Sequence, residues 1–277
     1  MAKIKPEYGI FKTSIPYARF GEGEKILLLL FGGPGNEVPK GFIFNTMAKG
    51  LNPFVEEYTI YVVTRKSGLH EGYTTKDMSD DYAEMIRDEF GGKVNLIIGI
   101  SYGGIIAQHF AADHHELFDH IVIAMAAHKI SEEGKQIDTK FAELLSEGNI
   151  KSAYVTIADA LYPSSFKRTF LKGLLWLAGS FAHKPESKTY SQDVVIEAKA
   201  EVGHDSINSL KKISVPVLIL CGDKDFYFPS EYVKEMDRLI NNSTLKFYEN
   251  KGHEIIGDSR FAEDIFEFIK KKELGKN

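Results

Sequence analysis

The sequence holds a single cysteine, Cys221, among 277 residues. No disulfide can form within the chain, and a reducing compartment such as the cytoplasm is the expectation. Basic residues are not in excess: 34 Lys and Arg against 39 Asp and Glu leave a formal net charge of −5. With no basic stripe, the electrostatic footprint of a nucleic-acid-binding protein is missing. The one lysine cluster, Lys270-Lys271-Lys272, reads as a solvated helix end, where cations also suit the helix dipole. Long apolar runs are lacking too. The longest aliphatic run, Ile26 to Phe31, is far short of the ~20 residues a membrane-spanning helix needs. The opening Met1-Ala2-Lys3-Ile4-Lys5-Pro6 has no apolar core of signal-peptide length. No internal repeat and no low-complexity linker stands out. The expectation is a soluble globular chain, and 43% hydrophobic with 26% charged residues is an ordinary balance for one.

What is present is an alternation of elements. Tyr8 to Phe20 reads as two short strands, followed by a turn at Gly21-Glu22-Gly23-Glu24. Ile26 to Phe31 is uninterrupted by polar residues and ends in glycines, the pattern of a strand buried on both faces. The same type of run recurs at Thr59 to Val63, Val94 to Ile100, Ile121 to Ala127 and Val217 to Cys221, with a last candidate at Thr244 to Tyr248. Helical segments lie between and after them: Asp80 to Phe90, Tyr102 to Ala112, Ser230 to Ile240 and Arg260 to Lys272. Alternating strands and helices predict an α/β fold, a mostly parallel twisted sheet flanked by helices.

One stretch breaks the alternation. From His128 to Ile213 the pattern is helical, with Phe141, Leu144 and Leu145 on one face and Tyr154, Ile157, Ala158 and Leu161 on another. Phe166 to Phe181 is apolar nearly all round, including Phe170 and Trp176, and Ser191 to Val202 gives a further helix. The expected organisation is a core domain of residues 1–127 and 214–277 with a helical insertion at 128–213. Glu197 and Glu201, an i, i+4 pair in the last of these helices, are the acidic pair that could hold a substrate amine, but a solvated face is the preferred reading.

Several motifs carry chemistry. Gly99-Ile100-Ser101-Tyr102-Gly103 follows the strand Val94-Asn95-Leu96-Ile97-Ile98 and precedes a helix containing Ile105, Ile106 and Phe110. A serine on a sharp strand-to-helix turn projects its hydroxyl at the top of a sheet, and the helix N-terminus behind it adds a positive dipole. Phe31-Gly32-Gly33-Pro34-Gly35 leaves the first long strand. An oxyanion hole needs two N–H groups aimed at one point; Tyr102 and Gly33 are the candidates. Gly222-Asp223-Lys224-Asp225 ends another strand, and Asp225 is preferred as the carboxylate that orients an imidazole, with Asp223 the alternative. His253 lies in Lys251-Gly252-His253-Glu254, a loop between the last strand and the last helix, and follows both Ser101 and Asp225. Nothing in these motifs calls for a cofactor or a metal ion.

On these residues the chain resembles the α/β-hydrolase superfamily, in its cap-bearing branch of small esterases, C–C hydrolases and aminopeptidases. The likeness runs from Tyr8 to the last helix, and the order Ser…Asp…His is the one expected on that fold. The resemblance implies Ser101 as nucleophile, His253 as general base, Asp225 as its orienting acid, Gly33 and Tyr102 as oxyanion donors, and residues 128–213 as a cap inserted after the sixth strand. Two departures stand out. Phe31 occupies a place where the family often has a histidine that braces the oxyanion loop. Gly-Gly-Pro-Gly is similar to prolyl aminopeptidases, yet their Asp-Gln-Arg-Gly stretch is replaced here by Thr64-Arg65-Lys66-Ser67-Gly68.

The expected activity is hydrolysis of a carboxylic ester or thioester of a small-molecule acyl substrate through an acyl-enzyme. Cleavage of an amide or a C–C bond on the same residues is the alternative, and an amine-bearing substrate would need an acidic group in the cap. From another class, a ligand-binding protein on a hydrolase fold would usually lack one of the three side chains.

Overall fold

Leu27 and Leu29 point to one side of their strand and Leu28 and Leu30 to the other, and all four are buried. A strand with no wet face can only sit inside a sheet covered on both sides. In the computed structural model, which describes residues 5–161 and 187–274, that sheet has eight strands. They are β1 (Glu7–Ile10), β2 (Pro16–Phe20), β3 (Lys25–Leu30), β4 (Tyr58–Val63), β5 (Val94–Ile100), β6 (Phe118–Ala124), β7 (Val217–Gly222) and β8 (Ser243–Tyr248). Their order is β1-β2-β4-β3-β5-β6-β7-β8. β1 and β2 join as an antiparallel pair, β2 is antiparallel to β4, and the remaining pairings are parallel.

Helices cover both faces. Against one face lie α2 (Thr75–Glu89), α3 (Tyr102–Asp113) and, further along the chain, a helix at Ser230–Leu239, through residues such as Met85, Ile105 and Met236. Against the other lie α1 (Gly41–Leu51) and the last helix, Arg260–Leu274, through Phe44, Met47, Phe261 and Ile265. Burying each such side chain is worth about 1.5–3 kcal/mol, so the two apolar layers hold the sheet flat against its helices. Cys221 lies buried in β7, where burial pushes its thiol up to about 12 and leaves it unreactive.

Between β6 and β7 the alternation gives way, as expected, to helices: α4 (Glu132–Ser146), α5 (Ile150–Leu161) and α6 (Tyr190–Val202). The Ser131 hydroxyl caps α4 by accepting from the Gly134 N–H at 3.0 Å. Phe141 and Leu145 of α4, Ala153 of α5 and Tyr190 and Val194 of α6 form a small apolar cluster of their own. The helical face expected from the side chains of Tyr154, Ile157, Ala158 and Leu161, and the stretch 166–181 with Phe170 and Trp176, lie outside the described residues. No helix among the described residues is long and apolar enough to cross a membrane.

The topology positions the site. The parallel strands all run the same way, so the loops after β3, β5, β7 and β8 emerge at one edge of the sheet. Those loops carry the Gly32-Gly33 turn, Ser101, Asp225 and His253.

Candidate active site

Ser101 sits between β5 and α3 with φ 54° and ψ −119°. This region disfavours any residue with a Cβ and costs on the order of 1–3 kcal/mol. Close packing holds it there. The Ser101 N–H donates to Ala124 O at 3.0 Å, and the Ser101 carbonyl accepts from Gly104 N at 2.7 Å and Ile105 N at 3.0 Å. A Cβ at position 103 would run into the Leu30 carbonyl, which explains the glycine that closes this turn.

His253 brings the other two expected residues together. Its Nε2 lies 2.9 Å from Ser101 Oγ and its Nδ1 lies 2.8 Å from Asp225 Oδ2. Asp225 is buried, and its Oδ1 accepts from the N–H groups of Tyr227 and Phe228 at 3.0 and 3.1 Å. A carboxylate held this way accepts the Nδ1 proton and leaves Nε2 as an acceptor for the serine hydroxyl. The imidazole stacks on Phe228 with ring centroids 5.8 Å apart. Burial works to lower its pKa, but the Asp225 charge and hydrogen bond outweigh it and the net shift is upward. Asp223 is not part of this chain. Among the described residues its Oδ1 has no hydrogen-bond partner; its N–H donates to Tyr248 O and its carbonyl accepts from Ser230 Oγ.

Gly33 and Tyr102 both line a cavity of about 410 Å³ that also exposes Ser101 and His253. Tyr102 opens α3, so its N–H has no carbonyl within the helix to bond. The loop before Gly33 is braced by Arg65, which follows β4. The Arg65 guanidinium donates to Phe31 O at 2.9 Å, to Gly33 O, and to Glu197 Oε2 at 2.8 Å, and it stacks on the Tyr102 ring at 4.9 Å. Burial opposes its charge, yet Glu197 raises its pKa further. Arg65 thus braces the loop that leads from Phe31 to Gly33.

Glu197 and Glu201 correct the expectation of a solvated face: only 2% and 8% of the two residues is exposed. Glu197 is drawn inward by Arg65 and by the Gly35 N–H, which donates to its Oε2 at 2.7 Å. Burial and the neighbouring Asp138 carboxyl on α4 push Glu201 well above the usual carboxylate range, and burial pushes the Tyr227 hydroxyl up as well. All four acidic and phenolic side chains line the Ser101 cavity. Arg65, Asp138 and Tyr227 were not singled out by motif reasoning as parts of the site. Each takes its meaning from partners far away in sequence, and an isolated charged or aromatic residue gives no local signal for that.

Comparison with known proteins agrees with this architecture. The family described as alpha/beta hydrolase fold matches residues 63–259. A poly(3-hydroxyalkanoate) depolymerase of Ectopseudomonas oleovorans is 29% identical over 229 residues, 82% of this chain and 77% of that protein. A pimeloyl-[acyl-carrier protein] methyl ester esterase of Vibrio vulnificus is 22% identical, over 87% of this chain and 91% of that one. Among solved structures, an esterase from Exiguobacterium antarcticum superimposes with a TM-score of 0.72 at 21% identity, covering 95% of this chain and 99% of that one.

Proposed function

The chain belongs to the α/β-hydrolase fold family and is a hydrolase, and within that class we propose that it cleaves a carboxylic ester or thioester through an acyl-enzyme on Ser101. The observation that carries this reading is the unbroken hydrogen-bonded chain from Ser101 Oγ through His253 to Asp225. His253 takes the hydroxyl proton as Ser101 attacks the carbonyl carbon, and Asp225 stabilises the imidazolium that results. The Gly33 and Tyr102 N–H groups hold the oxyanion as it forms. His253 returns the proton to the departing alcohol or thiol. Water, activated by the same imidazole, then cleaves the acyl-enzyme.

We further read residues 128–213 as a cap over the core formed by 1–127 and 214–277. Support comes from the position of α4 and α6, whose side chains wall the cavity above Ser101 while the three reacting residues come from loops at the sheet edge. An ester bond suits the relatives named above, a poly(3-hydroxyalkanoate) depolymerase and a pimeloyl-[acyl-carrier protein] methyl ester esterase. The test is a rate panel of p-nitrophenyl esters from acetate to palmitate with aminoacyl p-nitroanilides alongside. The reading requires esters to be turned over faster than anilides, and turnover of anilides alone would replace it with amide hydrolysis.

A further inference from the structure

Tyr227 stands where three parts of the site meet. It follows Asp225 by two residues in the loop after β7, and its N–H donates to Asp225 Oδ1 at 3.0 Å. Its ring lies 5.8 Å from the His253 imidazole, centroid to centroid, and 5.3 Å from the ring of Phe228, which stacks on the same imidazole. The third part is α4. The Tyr227 carbonyl accepts from the N–H of Ser131, the residue that caps that helix, at 3.0 Å. Three residues on, Gly134 leaves room for the Tyr227 ring: a Cβ there would lie 3.1 Å from its Cε2 and 3.2 Å from its Cδ2.

These contacts have a mechanical consequence. Both hydrogen bonds of His253, to Ser101 and to Asp225, act in the plane of the imidazole at its edge. Tilting of that plane is resisted by what packs against it, and a misplacement of ~1 Å at a reacting centre costs about a hundredfold in rate. Tyr227 acts on both members of the pair, on His253 through its ring and on Asp225 through its N–H. It is itself held in place from α4 at two points, Ser131 and Gly134. The same helix walls the cavity with Ile137, Asp138 and Phe141.

We propose that Tyr227 is a positioning residue for the His253–Asp225 pair, and that through it the alignment of the pair depends on how α4 is seated against the loop after β7. The inference rests on reading Ser101, His253 and Asp225 as the reacting set. The helix that meets whatever enters the cavity is then also the helix that steadies the general base.

The test compares Tyr227→Leu with Tyr227→Phe. Both lack the hydroxyl and both keep the backbone bonds, so the difference between them isolates the ring. For p-nitrophenyl acetate, kcat of Tyr227→Leu should lie at least about tenfold below that of Tyr227→Phe, with similar KM. The acid limb of kcat/KM should also fall at lower pH in Tyr227→Leu, because a looser contact with Asp225 raises the His253 pKa less. The other charged groups acting on His253, Glu254 and Asp138, are the same in both variants. Equal kcat in the two folded variants overturns the proposal. So does a loss of kcat with the limb unmoved or with KM rising in proportion, since that is the mark of packing alone. If Tyr227→Leu fails to fold, Gly134→Ala decides, because its added methyl presses on the ring from α4 and leaves Tyr227 itself intact. A several-fold loss of kcat at constant KM is expected there, and wild-type kcat in that protein overturns the proposal. Fluorophosphonate labelling of the wild-type protein runs alongside. Labelling without these differences removes only the role of Tyr227, whereas absence of labelling removes the reading beneath it.

Discussion

Arg65 and Glu197 stand 132 residues apart in sequence and meet in an ion pair of 2.8 Å, with 1% and 2% of their side chains exposed. One partner also holds the carbonyls of Phe31 and Gly33, and the other belongs to α6, so a single pair ties α6 to the loop beside Ser101. The shape of the Gly33 loop and the seating of α6 are therefore linked.

Removing Arg65 strands a buried carboxylate. Arg65→Ala should destabilise the protein by about 3–5 kcal/mol, read from denaturant unfolding. Arg65→Lys keeps the charge but cannot reach two carbonyls and a carboxylate with a planar fork. Its expected signature is kinetic: kcat for p-nitrophenyl acetate falls on the order of tenfold while KM stays near wild type, because the loop supports the oxyanion more than the bound ester. An unchanged kcat in a folded Arg65→Lys protein would show that the brace does not matter to the reaction.

Asp225 and Asp223 differ in geometry by what they touch, and the variants should differ accordingly. Asp225→Asn places an amide against His253 Nδ1 and favours the wrong tautomer, with an expected loss in kcat on the order of 10⁴-fold. Asp223→Asn changes a side chain that contacts neither His253 nor Ser101 among the described residues, and activity should stay within a few-fold of wild type. Rates for the two variants measured side by side decide the matter, and the reverse order would move the acid role to Asp223.

The pH profile follows from the same contact. His253 must be neutral to accept the serine proton, so activity is present above its pKa and lost as pH falls through it. Since Asp225 raises that pKa, the acid limb of kcat/KM should have its midpoint above the ~6.5 of a free imidazole. Replacing Asp225 with Asn removes the cause, and the residual activity should titrate at lower pH. A midpoint that does not move would separate the limb from this pair.

The parallel strands were legible because burial on both faces leaves runs such as Leu27 to Leu30 without a polar residue. The turn chemistry around Ser101 was equally local. α1 left no comparable trace: Lys40 makes no side-chain cap, Phe42 and Ile43 in the first turn are exposed, and Gly50 interrupts the last. The apolar spacing starts α2 only at Asp80, although Thr74 and Asp77 form a reciprocal capping box that starts the helix at Thr75, five residues earlier, a signal of ordinary strength. The acidic wall of the cavity leaves a misleading trace in the sequence for a different reason. Glu197 and Glu201 show the spacing of a wet helical face, and only folding brings Arg65 and Asp138 to them. Pairing across such distances is a property of the tertiary arrangement, which periodicity along one segment does not encode.

The account turns on Ser101 as an activated nucleophile, and the most direct measurement is the intact mass of the protein after exposure to a fluorophosphonate, followed by peptide mapping. A hydroxyl 2.9 Å from a neutral imidazole should react once and at one place. The account predicts a single phosphonyl adduct on Ser101 in the wild-type protein and none in a Ser101→Ala protein that melts normally. An adduct on another residue, an adduct that persists in Ser101→Ala, or esterase turnover in that variant would contradict it.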